Sequence, residues 1–243
     1  VPGFHRSSSR HRSLATLVSF LLAVGGPVFA QLPSGWGRSL GRMEALLQKG
    51  GSSNAWRAQT VAAESFARWA DEVGRDPGNR ATLARFLALW AVALHRSEDR
   101  ALGRWRAAEA ASLDWQETER SLAPFPEKDG LLQDLAPVDV AAALRQLNDP
   151  PPGSTPPEPE KLVPVSTALS ARAGERGGTS KVLAVVDPAG LVERPILVES
   201  SGHLGFDLAV MDALREWVFR PASQDGKAVV GMYLLSVTLR SGE

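Results

Sequence analysis

The chain has 243 residues, 27 basic and 27 acidic, with 44% apolar residues and no cysteine. That length holds one or two modest domains, and the balanced charge excludes a basic tail for nucleic acid or a polybasic membrane patch. Without cysteine, disulfides, thiolate metal sites, cysteine nucleophiles and a lipoprotein anchor are all excluded.

Arg6, Arg10 and Arg12 precede an apolar run from Leu14 to Val24, then Gly25-Gly26-Pro27 and Val28-Phe29-Ala30. A basic start, a short apolar core, a helix breaker and small residues at the end make an export signal over residues 1–30. The apolar run, about 11 residues, falls well short of the ~20 that cross a bilayer. Cleavage is expected after Ala30, giving a mildly acidic exported chain that starts at Gln31.

Residues 31–148 read as a helical domain. Trp36, Leu40, Met43 and Leu47 recur at helical spacing up to Gly50-Gly51. Ala62, Phe66, Trp69 and Val73 form a second stripe, stopped by Gly74 and Asp76-Pro77-Gly78-Asn79. Leu83, Phe86, Leu87, Trp90 and Leu94 form the clearest stripe. After Ser97-Glu98-Asp99 a further helix carries Ala101, Trp105 and Ala108. Breaks this short make neighbouring helices pack antiparallel. The helical text fades after Trp115, interrupted by Pro124, Pro126 and Gly130, and a short helix follows around Val138–Leu147. In length and in its small-aromatic-small pattern, the hairpin at 80–114, within a helical stretch of about 55–115, resembles a tetratricopeptide repeat. That resemblance implies helical hairpins and a partner-binding groove; a plain helical bundle is the other reading.

Residues 149–160, DPPPGSTPPEPE, are expected to be an extended, semi-rigid spacer. At ~3.1 Å per residue such a spacer reaches about 30–40 Å. Beyond it, 161–243 reads as a second domain in the order strand, strand, helix, strand. KVLAVVD (181–187) is a strand, Asp187-Pro188-Ala189-Gly190 a tight turn, and 191–199 a second strand in which Pro195 marks an edge or a bulge. Ser200, Ser201, Gly202 and His203 lead into a helix whose apolar face holds Phe206, Val210, Ala213, Leu214 and Trp217. Asp207 in its first turn suits the positive end of the helix dipole. Pro221 cannot extend the helix, Asp225-Gly226 turns the chain, and 227–240 is one long last strand. The whole is an α+β chain: helical hairpins, a proline-rich linker and a small β-β-α-β domain.

The ordered set Asp187…Gly190, Ser200-Ser201-Gly202-His203, Asp207, Ala213, Trp217-x-Phe219-x-Pro221-Ala222 and Asp225-Gly226-Lys227 resembles the TonB C-terminal domain family over about 161–243. Ala168, Leu169, Arg172-Ala173-Gly174 and Gly177 resemble the family's upstream segment, while Ser166-Thr167 stand where a Tyr-Pro is frequent. The resemblance implies a periplasmic domain that adds an extended peptide, such as a segment of an outer-membrane transporter, to a sheet edge. Edge addition gains affinity from unpaired backbone groups and selectivity from alternate side chains. The last strand is the candidate edge. Val229, Tyr233, Leu235, Val237 and Leu239 can pack on the helix, while Val230, Met232, Leu234, Ser236 and Thr238 face the other way. A partner, a second copy of the chain or the helical domain would cover them.

Two departures argue against coupling to an inner-membrane motor. The apolar run 14–24 has no histidine, and the proline-rich segment is short. The reading that follows is an exported, TonB-like protein-binding module. Its alternatives are a membrane-anchored energy transducer and an envelope adaptor that dimerises through the C-terminal domain. No enzyme is expected. Beyond the signal segment the histidines are His95, which closes a helix, and His203, which enters one. Neither stands at metal-ligand spacing, and no nucleophile elbow, phosphate loop or dinucleotide fingerprint occurs. No cofactor, metal or nucleic acid is implied.

Overall fold

In the computed structural model, residues 32–165 and 178–239 are described. The expected signal segment, its cleavage after Ala30 and the family's upstream residues Ala168 to Gly177 lie outside the described residues.

The helical part runs α1 (Ser34–Lys49), α2 (Ser52–Gly74), α3 (Arg80–Arg96), α4 (Arg100–Leu113), α5 (Trp115–Leu122), α6 (Lys128–Leu132) and α7 (Val140–Asn148). Gly50 and Gly51 take positive φ of 70° and 81° between α1 and α2. Such backbone suits glycine, so the pair ends one helix and starts the next within two residues. α3 is the central helix: α1, α2, α4 and α5 all pack on it. Its stripe Leu83, Phe86, Leu87, Trp90 and Leu94 is buried. Trp36 stacks on Phe86 with ring centroids 4.4 Å apart. The second-helix pattern is corrected at one position: Trp105 and Ala108 are buried, but Ala101 is exposed. Gly103 makes the close approach instead, since a Cβ there would press on Ala91 O and His95 N of α3.

Helix does not fade at Trp115. Asp114 accepts from Glu117 N and caps α5, and α6 follows after the Pro124–Pro126 stretch. Asp99 and Asp139 cap α4 and α7 in the same way. A side-chain oxygen at this position satisfies one of the amides that a helix start leaves open.

The C-terminal part is built of β1 (Ser154–Thr155), β2 (Glu158–Lys161), β3 (Gly178–Val186), β4 (Val192–Glu199), α8 (Leu204–Leu214), β5 (Val218–Arg220), β6 (Ala222–Gln224), β7 (Lys227–Val229) and β8 (Gly231–Leu239). Its main sheet is antiparallel in the order β4-β3-β8. β3 pairs with β8 from Gly178↔Leu239 to Val186↔Gly231. Pro195 lies in β4, which is an edge strand, as a residue without an N–H requires. α8 packs on β3 and β4, and its apolar cluster includes Val182, Ala184 and Val186 of β3, with Tyr233, Leu235 and Val237 of β8 packed against it.

Three expectations need correction here. The helix ends at Leu214, so Trp217 packs from outside it. The last strand is two strands, because β7 pairs back on β6 while β8 pairs on β3, and Val230 lies at the break. Residues 149–160 are not a free spacer: β1 pairs with β6, β2 pairs with β5, and Pro157 is buried. Their backbone groups find partners in the C-terminal strands, which offsets the loss of chain freedom.

Nor do the helical and C-terminal parts stand apart. One contiguous apolar cluster runs from Trp36 and Leu87 through Leu197 to Phe206 and Phe219. α2 contacts α8, and α4 contacts β4. Gly74 of α2 meets Gly205 of α8 so closely that a Cβ on Gly74 would overlap Gly205 N.

Candidate functional site

β4 and β8 form the two edges of the main sheet, and they have different fates. The β4 edge is occupied by the helical part. Leu197 N donates to Ser112 Oγ of α4 at 2.5 Å, and Arg194 Nη1 donates to Ala136 O at 3.3 Å. On β8, among the described residues, no strand pairs with the side away from β3. An edge of this kind presents a row of unpaired N–H and C=O groups.

Around that edge lie the residues expected to face a partner. Leu234, Ser236 and Thr238 are exposed, Met232 is half-buried, and Val230 is 55% exposed at the strand break. Thr238 Oγ1 lies 3.1 Å from Thr179 Oγ1 of β3. The same face of β3 carries Leu183 and Val185, both buried. α7 packs against β8 and leaves a groove of about 410 Å³ lined by Leu144, Leu147, Pro156, Pro157, Met232 and Leu234. So the outward face is covered in part by the chain itself, and the cover stops where Leu234 begins to be exposed.

The family-type residues bond to one another around the start of α8. Ser200 Oγ donates to Asp207 Oδ2, and Ser201 N donates to Asp207 Oδ1 at 3.0 Å. Asp207 is fully buried, so both bonds are made away from water. Gly202, at φ 87°, reverses the loop. His203 Nδ1 then accepts from Phe206 N at 3.2 Å and caps α8. That acceptance leaves the ring proton on Nε2, 3.5 Å from Asp71 Oδ1 of α2. Burial lowers the His203 pKa below the usual histidine value, against the pull of Asp71.

Trp217 Nε1 donates to Val163 O at 2.9 Å, and Phe219 sits between Trp217 and Tyr233 in the core. Pro221 is half-buried between β5 and β6. Asp225 and Gly226, with φ of 50° and 77°, turn β6 into β7. Asp225 N also donates to Gly153 O and ties the proline-rich segment down.

No sequence pattern points to the joint between the two parts. Arg106 of α4 donates from Nη1 to Glu109 at 2.6 Å and to Asp212 of α8 at 3.1 Å, under the faces of Trp90 and Phe66. Burial works against its charge, but the carboxyls of Glu109 and Asp212 outweigh that and raise its pKa. Ser112, Leu144 and Leu147 were likewise not singled out by any pattern. They are ordinary helix residues whose part comes from what lies opposite.

Among the described residues no group of histidine, aspartate and glutamate could hold a metal ion, and no helix is long and apolar enough to cross a membrane. No curated protein and no solved structure matches the chain. A family model does match part of it, a stretch well under half of the chain that begins ahead of β3 and ends within β8. The open edge, the capping loop and the helix behind them thus fall within residues 169–238, which match the Gram-negative bacterial TonB protein C-terminal family.

Proposed function

We propose that this is an exported, periplasmic TonB-like protein that binds an extended peptide by strand addition on the outer side of β8. The observation that carries the reading is the inequality of the two sheet edges: β4 is capped by Ser112, and β8 is open among the described residues. An added strand would gain backbone hydrogen bonds from β8 and place alternate side chains against Met232, Leu234 and the α7 groove. A periplasmic segment of an outer-membrane transporter is the partner that the family match favours. Residues 149–161, strapped to β5 and β6, do not supply the reach of a transperiplasmic coupler. That strapping supports a reading of binding without connection to a motor.

The test is hydrogen exchange on the full chain with and without a synthetic peptide of such a transporter segment. Slowed exchange at β8 amides, together with at least a tenfold weaker Kd for Leu234→Lys, is expected. Unchanged β8 exchange at saturating peptide would sink the proposal. An open edge is a template for any strand, a second copy of the chain included, so solution mass separates a homodimer from peptide binding. Intact mass of the exported protein checks for a start at Gln31.

A further inference from the structure

α1 and α2 enclose an open groove of about 780 Å³, none of whose lining residues belongs to β8. Its floor is Val61 and Ser65, both buried, and its sides carry Arg38, Ser39 and Arg42 from α1 and Glu64, Arg68 and Trp69 from α2. Trp69 closes one end: a Cβ on Gly35 would overlap its indole, so the ring lies flush on the first turn of α1. Arg68 stands over that ring, its guanidinium carbon 5.5 Å from the centroid.

Half of the arginines among the described residues are ion-paired and half are not. Arg75, Arg85, Arg96, Arg106 and Arg220 each face a carboxylate. Arg38, Arg42 and Arg68 have no ion pair among the described residues, and Glu64 is the single carboxylate that shares their groove. Charges of one sign left unpaired around a groove favour an anionic occupant. Arg38 and Arg42 stand four residues apart on α1, one helical turn. Carboxylates at the same interval on a facing helix would meet both, in the fork geometry that guanidinium groups offer.

From this we infer that the α1–α2 groove is a docking surface for an acidic α-helix of a partner protein, independent of the β8 edge. The half-buried Ser39 and buried Ser65 keep the middle of the groove shallow enough for a helix backbone to come close. A small anion would leave this wide groove wet, whereas ligand pockets enclose most of what they hold. The chain's own first 31 residues do not suit it, since they carry Arg6, Arg10 and Arg12 and no acidic residue.

The test is titration calorimetry of the full chain with a stapled helical peptide bearing glutamates one turn apart. A control peptide carries the same glutamates off register. Phosphatidylglycerol vesicles and inorganic phosphate are titrated in parallel. The expected result is binding of the in-register peptide, at least tenfold weaker for the control and for Arg38→Ala/Arg42→Ala. The same binding should weaken several-fold between about 50 and 300 mM salt, while Arg38→Lys/Arg42→Lys keeps most of it. All three arginines are exposed, so melting curves of the variants should match the parent. Equal binding of both peptides, binding unaffected by the arginine substitutions, or binding only of vesicles or phosphate each overturns the inference.

Discussion

Gly190 ends the turn between β3 and β4 at φ 85°, and its carbonyl accepts from Phe219 N at 2.8 Å. A Cβ at this position would overlap Phe219 O, which is backbone and cannot swing aside. Gly190→Ala should therefore destabilise by roughly 2–4 kcal/mol, adding a steric cost to the backbone one; a urea midpoint checks it. His203 gives a pH signature. Its folded pKa lies below its unfolded value because it is buried and caps α8 as a neutral acceptor. The native state then binds fewer protons, so this stability is complete above about pH 6.5 and lost as pH falls through the folded pKa. His203→Asn can still cap the helix and does not titrate, so its melting temperature should fall less than the parent's between pH 7.5 and 5. The capping loop was legible in the sequence because its bonds span only two to seven residues. Arg106 and Asp212 lie 106 residues apart, and nothing local in either neighbourhood points to the other.

Among the elements, those set by local chemistry were legible: the stripe of α3, the Asp187–Gly190 turn and the strands on either side of it. α5 is less legible: Asp114 and Glu117 stand at the spacing of a capped helix start, but Pro124 and Pro126 just beyond it are loop signals. The proline-rich segment misled for a different reason. Its composition does prevent a core of its own, but β1 and β2 use the hydrogen-bonding groups of β6 and β5 and need none. Replacing residues 154–161 by a glycine-serine segment of equal length should cost about 1–3 kcal/mol in chemical denaturation, the scale of a few lost hydrogen bonds. A free spacer would tolerate the change without effect.

At the scale of the whole molecule, α2 and α8 touch backbone to backbone at Gly74 and Gly205, and Arg106 bonds across the same joint to Asp212. With one apolar cluster running through both parts, the chain should melt in a single calorimetric transition. Gly74→Val, which drives a side chain into Gly205, should split that transition or broaden it visibly. The contact between Ser112 and β4 also has a mechanical side. A partner that pulled along β8 would load the antiparallel ladders to β3 and then β4 in shear, many hydrogen bonds sharing the strain. From β4 the tension would pass into α4 through Ser112 and the packing around it. Sheet and helices would then share such a load, since α4 is joined to β4 by that bond and by packing.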